Sequence, residues 1–202
     1  MRSFRTKGII IKRRNTGEAD KILTVFTHEF GKLQIKAIGI RRIASRRCAH
    51  VELLNYSALG LYKGPNNTIL TEANAIDSFS AIKDDLDKVG YAYHLCELVD
   101  GLCPENQENK TVFTLLKNML TQIACHSSAP LCNSKYSWGA GGNPYSTNSI
   151  PSAIHGFEIE LLSILGYWNK EDTVFDKVDT RNFIESILER KLKSCNIFGK
   201  ML

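Results

Sequence analysis

Residues 32–47 read KLQIKAIGIRRIASRR, and the fold turns on how this stretch is understood. It starts as an alternation. Leu33, Ile35 and Ala37 fall on one face; Lys32, Gln34 and Lys36 fall on the other. That is the period of a strand with one face buried. It ends as a basic loop, in which Arg41, Arg42, Arg46 and Arg47 arrive within seven residues with no acid among them. Guanidiniums held together repel one another unless an anion sits near. The loop is therefore either well solvated or the contact for a polyanion, and these residues alone fit both readings.

Strand signals surround it. Residues 6–12 (TKGIIIK) and 21–27 (KILTVFT) are β-branched runs. Asn15-Thr16-Gly17-Glu18 between them has turn composition. His28-Glu29-Phe30-Gly31 closes a hairpin into the third strand, with Gly31 free to take a positive φ. Residues 51–62 (VELLNYSALGLY) read as a long fourth strand, and Gly60 marks a bend or bulge in it. Gly64-Pro65-Asn66-Asn67 is a turn, and residues 68–75 are a fifth strand. Five short strands with no helical period between them predict a small closed barrel rather than a βαβ unit.

At Ser80 the period changes. Leu86, Val89, Tyr93, Cys96 and Val99 recur at helical spacing, behind Asp84, Asp85 and Asp87, which favour a helix N-terminus. Cys103-Pro104 ends that helix. Asn109 is placed to cap a second, which carries Val112, Phe113, Leu116, Met119, Leu120 and Ile123. A third spans about 151–165, with Ile154, Phe157, Leu161, Leu162 and Leu165 inward, Glu158 on its exposed edge and Gly166 as its stop. The last starts near Asp179 or Thr180 and buries Phe183, Ile184, Ile187, Leu188 and Leu192. Arg190, Lys191 and Lys193 fall in its final turn, where cations complement the helix dipole or offer an acidic-peptide site. Residues 127–149, rich in Ser, Gly, Asn and Pro, read as a long mobile loop. Its Tyr136, Trp138 and Tyr145 could stack on bases or pin the loop to the helices. The expected fold is α+β in two domains: a five-stranded barrel over 1–79 and an all-α domain over 80–202.

Charge follows the same division. Residues 1–63 hold 14 Lys/Arg against 4 Asp/Glu, and the remainder holds 12 against 17. A basic front on a mildly acidic back suggests two modules with different partners. No apolar run is long enough to span a membrane, and the opening MRSFRTKGIIIKRR is too short in apolar residues for a signal peptide. The expected location is cytoplasmic, with the six cysteines reduced. No Cys-x-x-Cys pair occurs; Cys125, His126 and Cys132 form the one weak metal grouping. No GxxxxGK[ST], no strand-preceded GxGxxG and no Gly-x-Ser-x-Gly elbow is present. Asp77, Asp84 and Asp85 suit helix capping better than a metal-dependent nuclease. His28, His50, His94, His126 and His155 are scattered. No enzyme, metal or cofactor is expected.

The segments RTKGIIIKRRNTGEADKILTVFTHEFGKL, GIRRIASRR, VELLNYSALGLYKG, ILTEANAIDSFSAIKDDLDKVGYAYHLCELVD, HGFEIELLSILGYW and FIESILERKLKS resemble RecO, a family of bacterial recombination mediators. The resemblance implies an N-terminal OB-fold and a C-terminal helical domain. It implies binding of single- and double-stranded DNA, annealing of complementary strands, and work with RecR to help RecA displace single-strand-binding protein. The acidic C-terminal tail of that protein is the implied partner of the helical domain, and the nucleoid the implied place. Carried onto this chain, the DNA-facing positions are Arg13 and Arg14 after the first strand and Arg41, Arg42, Arg46 and Arg47 in the loop, with Lys32 and Lys36 weaker candidates. Two departures stand out. Many members carry a Cys-x-x-Cys zinc module after Leu-Gly-Tyr; here WNKEDTVFDKVD follows Gly166-Tyr167 without cysteine, so the zinc module reads as deleted. The 127–149 loop is also unusual. The rival readings are a protein–protein adaptor for acidic partners and an RNA-binding OB module.

Overall fold

A computed structural model describes residues 3–43, 45–65, 67–125, 150–168 and 180–194. The expected 127–149 loop with Tyr136, Trp138 and Tyr145, the His126 and Cys132 grouping, and the stretch 169–179 that bears on the zinc module lie outside these residues.

Five strands close a barrel in the order β1-β2-β3-β5-β4. They are β1 (Ser3–Thr16), β2 (Asp20–Thr27), β3 (Gly31–Ala37), β4 (Tyr56–Lys63) and β5 (Thr68–Asp77). Every neighbour pair is antiparallel except the closure, where β3 meets β5 in parallel over Ile35↔Thr68 and Lys36↔Ile69. The inward residues Ile10, Leu23, Val25, Leu33, Ile35, Leu59, Leu61 and Leu70 fill the interior. Gly31 sits at φ +64 in the β2–β3 turn, as expected.

Two of the differences between the strand boundaries and the sequence pattern matter for the site. β1 continues to Thr16, so Arg13 and Arg14 lie within it, opposite Leu23 and Ile22, and not beyond its end. A register shift between Ile10 and Lys12 lets the strand bend and carry on. β4 begins at Tyr56 and not at 51. Val51 ends a short 3-10 turn, and Leu54 takes φ 69. The reason is tertiary. The Leu54 N–H donates to the Ile10 carbonyl at 2.9 Å, and the Ile10 N–H donates to the Asn55 carbonyl at 3.1 Å. The bulge in β1 thus captures this backbone before it can join the ladder. Within β4–β5 the register shifts between Gly60 and Leu61, where the glycine had suggested a bulge.

The helices are α1 (Ser80–Lys83), α2 (Leu86–Leu102), α3 (Lys110–Cys125), α4 (Ile150–Ile164) and α5 (Thr180–Leu188). The Asp85 carboxylate caps α2 by accepting the Asp87 and Lys88 N–H groups. The Asn109 side chain accepts the Val112 N–H at 3.0 Å. Gly166, at φ +80, follows α4. α2 is the central helix: it touches β1, α1, α3 and α4. It is therefore buried on several sides, and the single stripe read from its sequence describes that burial only in part. Leu86 (71% exposed) and Tyr93 (39%), expected inward, face solvent, whereas His94 and Lys88 are buried. α5 stops at Leu188, and Glu189 turns left-handed at φ 52. Arg190, Lys191 and Lys193 therefore follow the helix and do not form its last turn. Glu158 is buried, not on the exposed edge of α4.

The helical domain sits on the outer face of the barrel. Phe113 of α3 stacks with Phe26 at 6.3 Å between centroids, meets Tyr56 at 6.2 Å and takes the His28 ring edge-on at 5.5 Å. Ile9, Phe26, Leu54 and Tyr56 thereby join the helical core. Cys96 and Cys103 are buried in that core, and burial pushes their thiols up to about 12 and about 11. They behave as small hydrophobes.

Candidate nucleic-acid interface

The outer face of β1–β2–β3 is built of three lateral rows: Ile9–Phe26–Lys32, Lys12–Thr24–Gln34 and Arg14–Ile22–Lys36. Their environments differ sharply. The first row is covered by the helices. Lys32 is 7% exposed, and its amine donates to the Asp100 carbonyl and lies 3.8 Å from the Asp100 carboxylate. In the second row, the Lys12 amine meets the same carboxylate at 2.6 Å, and the Gln34 amide donates to Glu105. The polar face of the 32–37 strand is thus the seat of the helical domain. Lys32, expected to face DNA, has no charge to offer an outside anion. Its partner came from a helix 68 residues away in sequence, which no local pattern contains.

The third row leads to the free end of the barrel, where Lys36 lies 3.5 Å from Asp20. Asp20 organises this end. Its carboxylate accepts the Gly39 N–H at 2.8 Å, and the neighbouring Ala19 carbonyl accepts the Arg41 N–H at 3.0 Å. The amide of Gly39, with Lys36 and Arg42, holds the Asp20 carboxyl below its ordinary value. The β3–β4 loop is thereby fastened onto the β1–β2 turn. Two basic segments that are distant in sequence, 13–14 and 41–47, meet at one end of the barrel.

Arg47 plays a different part from its neighbours. Its guanidinium donates to the carbonyls of Leu70 (2.8 Å), Thr71 (3.3 Å) and Ile38 (3.1 Å). It clasps the far side of the loop to β5 and to the end of β3. Arg13, Arg14, Arg41, Arg42 and Arg46 are exposed, and none of them forms an ion pair with a described residue. The turn contributes two acids, Glu18 and Asp20. A cluster this rich in donors and poor in acceptors suits phosphates, which guanidiniums contact in bidentate fashion.

The second basic group lies on the helical domain. Arg190, Lys191 and Lys193 are exposed on a segment that folds back against α2. The Glu97 carboxylate accepts the N–H groups of Lys193 (3.0 Å) and Ser194 (2.8 Å), and Glu185 accepts that of Leu192 (3.0 Å). Burial pushes the Glu97 carboxyl up, but those N–H groups, the Ser194 hydroxyl and the Arg190 charge outweigh it and hold it below its ordinary value.

One polar cluster escaped the sequence entirely. His94 is buried, with Nε2 2.7 Å from Glu158 Oε1 and Nδ1 2.8 Å from Ser194 Oγ. The Thr180 hydroxyl donates to Glu158 Oε2 at 2.6 Å. Burial raises the Glu158 carboxyl; hydrogen bonds from His94 and Thr180 and the charges of His94 and His155 outweigh it and keep it low. The Ser–His–Glu composition resembles hydrolytic chemistry, but Ser194 is 3% exposed. The cluster is a latch tying α2, α4, α5 and the following segment together. Among the described residues, no group of three or more His, Cys, Asp or Glu is placed to hold a metal ion, and no helix is long and apolar enough to cross a membrane.

Comparison with known proteins follows the same two-part plan. Residues 1–79 match the family model for the N-terminal part of recombination protein O, and residues 83–138 match that for its C-terminal part. DNA repair protein RecO of Roseiflexus sp. is 34% identical over 166 residues, covering 82% of this chain and 51% of that protein. DNA repair protein RecO of Acetivibrio thermocellus is 33% identical over 185 residues, covering 88% of this chain and 66% of the relative. DNA repair protein RecO of a Dehalococcoides mccartyi strain is 32% identical over 164 residues, with 81% and 56% covered. The chain spans between half and two thirds of the length of these curated relatives. Closed barrel, helical domain and sequence agree: the chain belongs to the RecO family.

Proposed function

We propose that the chain acts in DNA repair and recombination by binding single- and double-stranded DNA at the open end of its barrel and annealing complementary strands. The observation that carries this reading is the gathering of five exposed arginines, from two separate segments and without an ion-pair partner among the described residues, at one end of the barrel. The names of the relatives support the repair role. Arginines that sit between two strands neutralise phosphates on both and lower their mutual repulsion, so complementary bases can meet. No covalent step and no cofactor is needed. Affinity should fall steeply with salt as condensed counterions are displaced, and sequence preference should be low. In this reading the chain works with RecR to help RecA load onto DNA coated by single-strand-binding protein. The acidic tail of that protein is the partner for the helical domain, with Arg190, Lys191 and Lys193 as its cationic contacts.

The test is strand annealing on naked DNA and on DNA coated with intact or tailless single-strand-binding protein. Annealing of naked DNA, retained on the intact coat and lost on the tailless one, is expected. If the chain binds no DNA but captures the tail peptide, it is an adaptor and the annealing reading fails. Preference for RNA over DNA of the same sequence would identify an RNA-binding module instead.

A further inference from the structure

We propose that Ile43 is a base-contacting finger that inserts between neighbouring bases of single-stranded DNA held on the arginines around it. This rests on the reading of the barrel end as a DNA surface. Ile43 is 108% exposed, more than any other large apolar residue among those described. Scattered exposed apolar side chains are ordinary. Ile43 is set apart by its position and by how it is held.

It lies between Arg42 and Arg46, two exposed cations that form no ion pair with a described residue. The loop is braced on both sides. Before the tip, Gly39 and Arg41 are fastened to Asp20 and Ala19; after it, Arg47 grips three carbonyls. At the tip, the Arg42 N–H donates to the Gly39 carbonyl at 3.2 Å and the Ser45 N–H to the Arg42 carbonyl at 2.8 Å. These turns hold Ile43 outward, away from the barrel core. Phe30, also exposed, packs edge-on against Phe4 at 5.0 Å.

A branched aliphatic side chain held among guanidiniums fits one partner chemistry well. Phosphates take the cations, and the flat apolar face of a base takes the isoleucine. Aliphatic side chains wedge between base steps in this way when a basic surface fixes the backbone beside them. On a single strand such a wedge unstacks one step and leaves its bases open to a complementary strand.

The test uses a single-stranded oligodeoxyadenylate carrying one 2-aminopurine, whose fluorescence rises when it leaves the stack. The unmodified chain should raise the signal on saturation. Ile43→Ser should bind with an unchanged salt slope but without the rise, and Ile43→Leu should keep it. A rise with Ile43→Ser equal to that of the unmodified chain overturns the finger. So does loss of binding with a shallower salt slope, because Ile43 would then be holding the arginines and not touching a base. Salt-dependent binding by the unmodified chain with no rise sinks this inference and leaves the proposed function standing. No binding at all sinks both.

Discussion

Lysines on the barrel wall and arginines at the barrel end belong to one domain and have opposite fates. Lys12 and Lys32 share the Asp100 carboxylate of α2 and hold the helical domain in place. Arg13, Arg14, Arg41, Arg42 and Arg46 are exposed and meet no acid within ion-pair distance among the described residues. Each of these residues adds one positive charge to the first 63 residues, whichever group it belongs to. A basic residue is available to a polyanion only where the fold has not already supplied its counter-charge, so a basic segment can overstate the surface it presents.

Substitutions can break or sharpen this contrast. The largest effect should come from Phe113→Ala. Phe113 is buried against Phe26 and Tyr56 at the joint, and its loss should cost about 3–5 kcal/mol, measured as a lowered denaturant midpoint. Molecules that remain folded should keep their DNA salt slope. Next is the triple change of Arg41, Arg42 and Arg46 to Ala. Stability should hold while the slope of log affinity against log salt falls by roughly two to three; an unchanged slope would move the DNA site elsewhere. Lys32→Met should do the reverse. It leaves the Asp100 carbonyl without its donor, at about 1–3 kcal/mol, and leaves DNA affinity alone. A drop in affinity matching that of an exposed arginine would erase the distinction between wall and end.

The smallest effect concerns a charge that is paired inside the helical domain. The Glu158 carboxyl is held below its ordinary value. A depressed carboxylate contributes stability above its unfolded pKa, near 4.3, and loses it as pH falls through the folded value. Stability should therefore fall on acidification below about pH 4. Glu158→Gln should flatten that acid limb when midpoints are compared across pH; an identical limb would mean other carboxylates carry it.

The barrel was legible because its signals are local. A β-branched run located β2, period-two alternation located β3, Gly31 marked their turn, and Gly60 marked the bulge. β4 was misjudged at its start because the apolar residues of 51–55 run on into the strand in sequence, while their backbone is claimed by Ile10, some 44 residues earlier. The burial of Leu86 and Tyr93 was misjudged because α2 packs on several sides and shows no single stripe. Glu158 was expected to be exposed because a carboxylate ordinarily is, and its partners His94 and Thr180 come from other helices. In the candidate site, the arginine cluster was visible as composition. The sequence did not separate Arg47, which clasps, from Arg41, Arg42 and Arg46, which project. It also did not show Lys32 passing to the joint, since each difference depends on a long-range partner.

The edge of β3 has a consequence for how the chain is made. β5 pairs with β3 only at Ile35 and Lys36. The rest of that edge is met by the α2–α3 connection, through a bridge between Lys32 and Glu105 and the Asn106 N–H to the Lys32 carbonyl at 2.9 Å. The fit is close enough that a Cβ at Gly31 would overlap the Gln107 backbone. During synthesis the five strands emerge first, with the start of β3 unpaired until residues 105–107 leave the ribosome. For that interval the nascent barrel presents an open edge, the kind of surface that recruits foreign strands. A fragment cut after β5 would keep that edge permanently. The smallest piece that folds cleanly is therefore set by the α2–α3 connection and not by the last strand of the barrel.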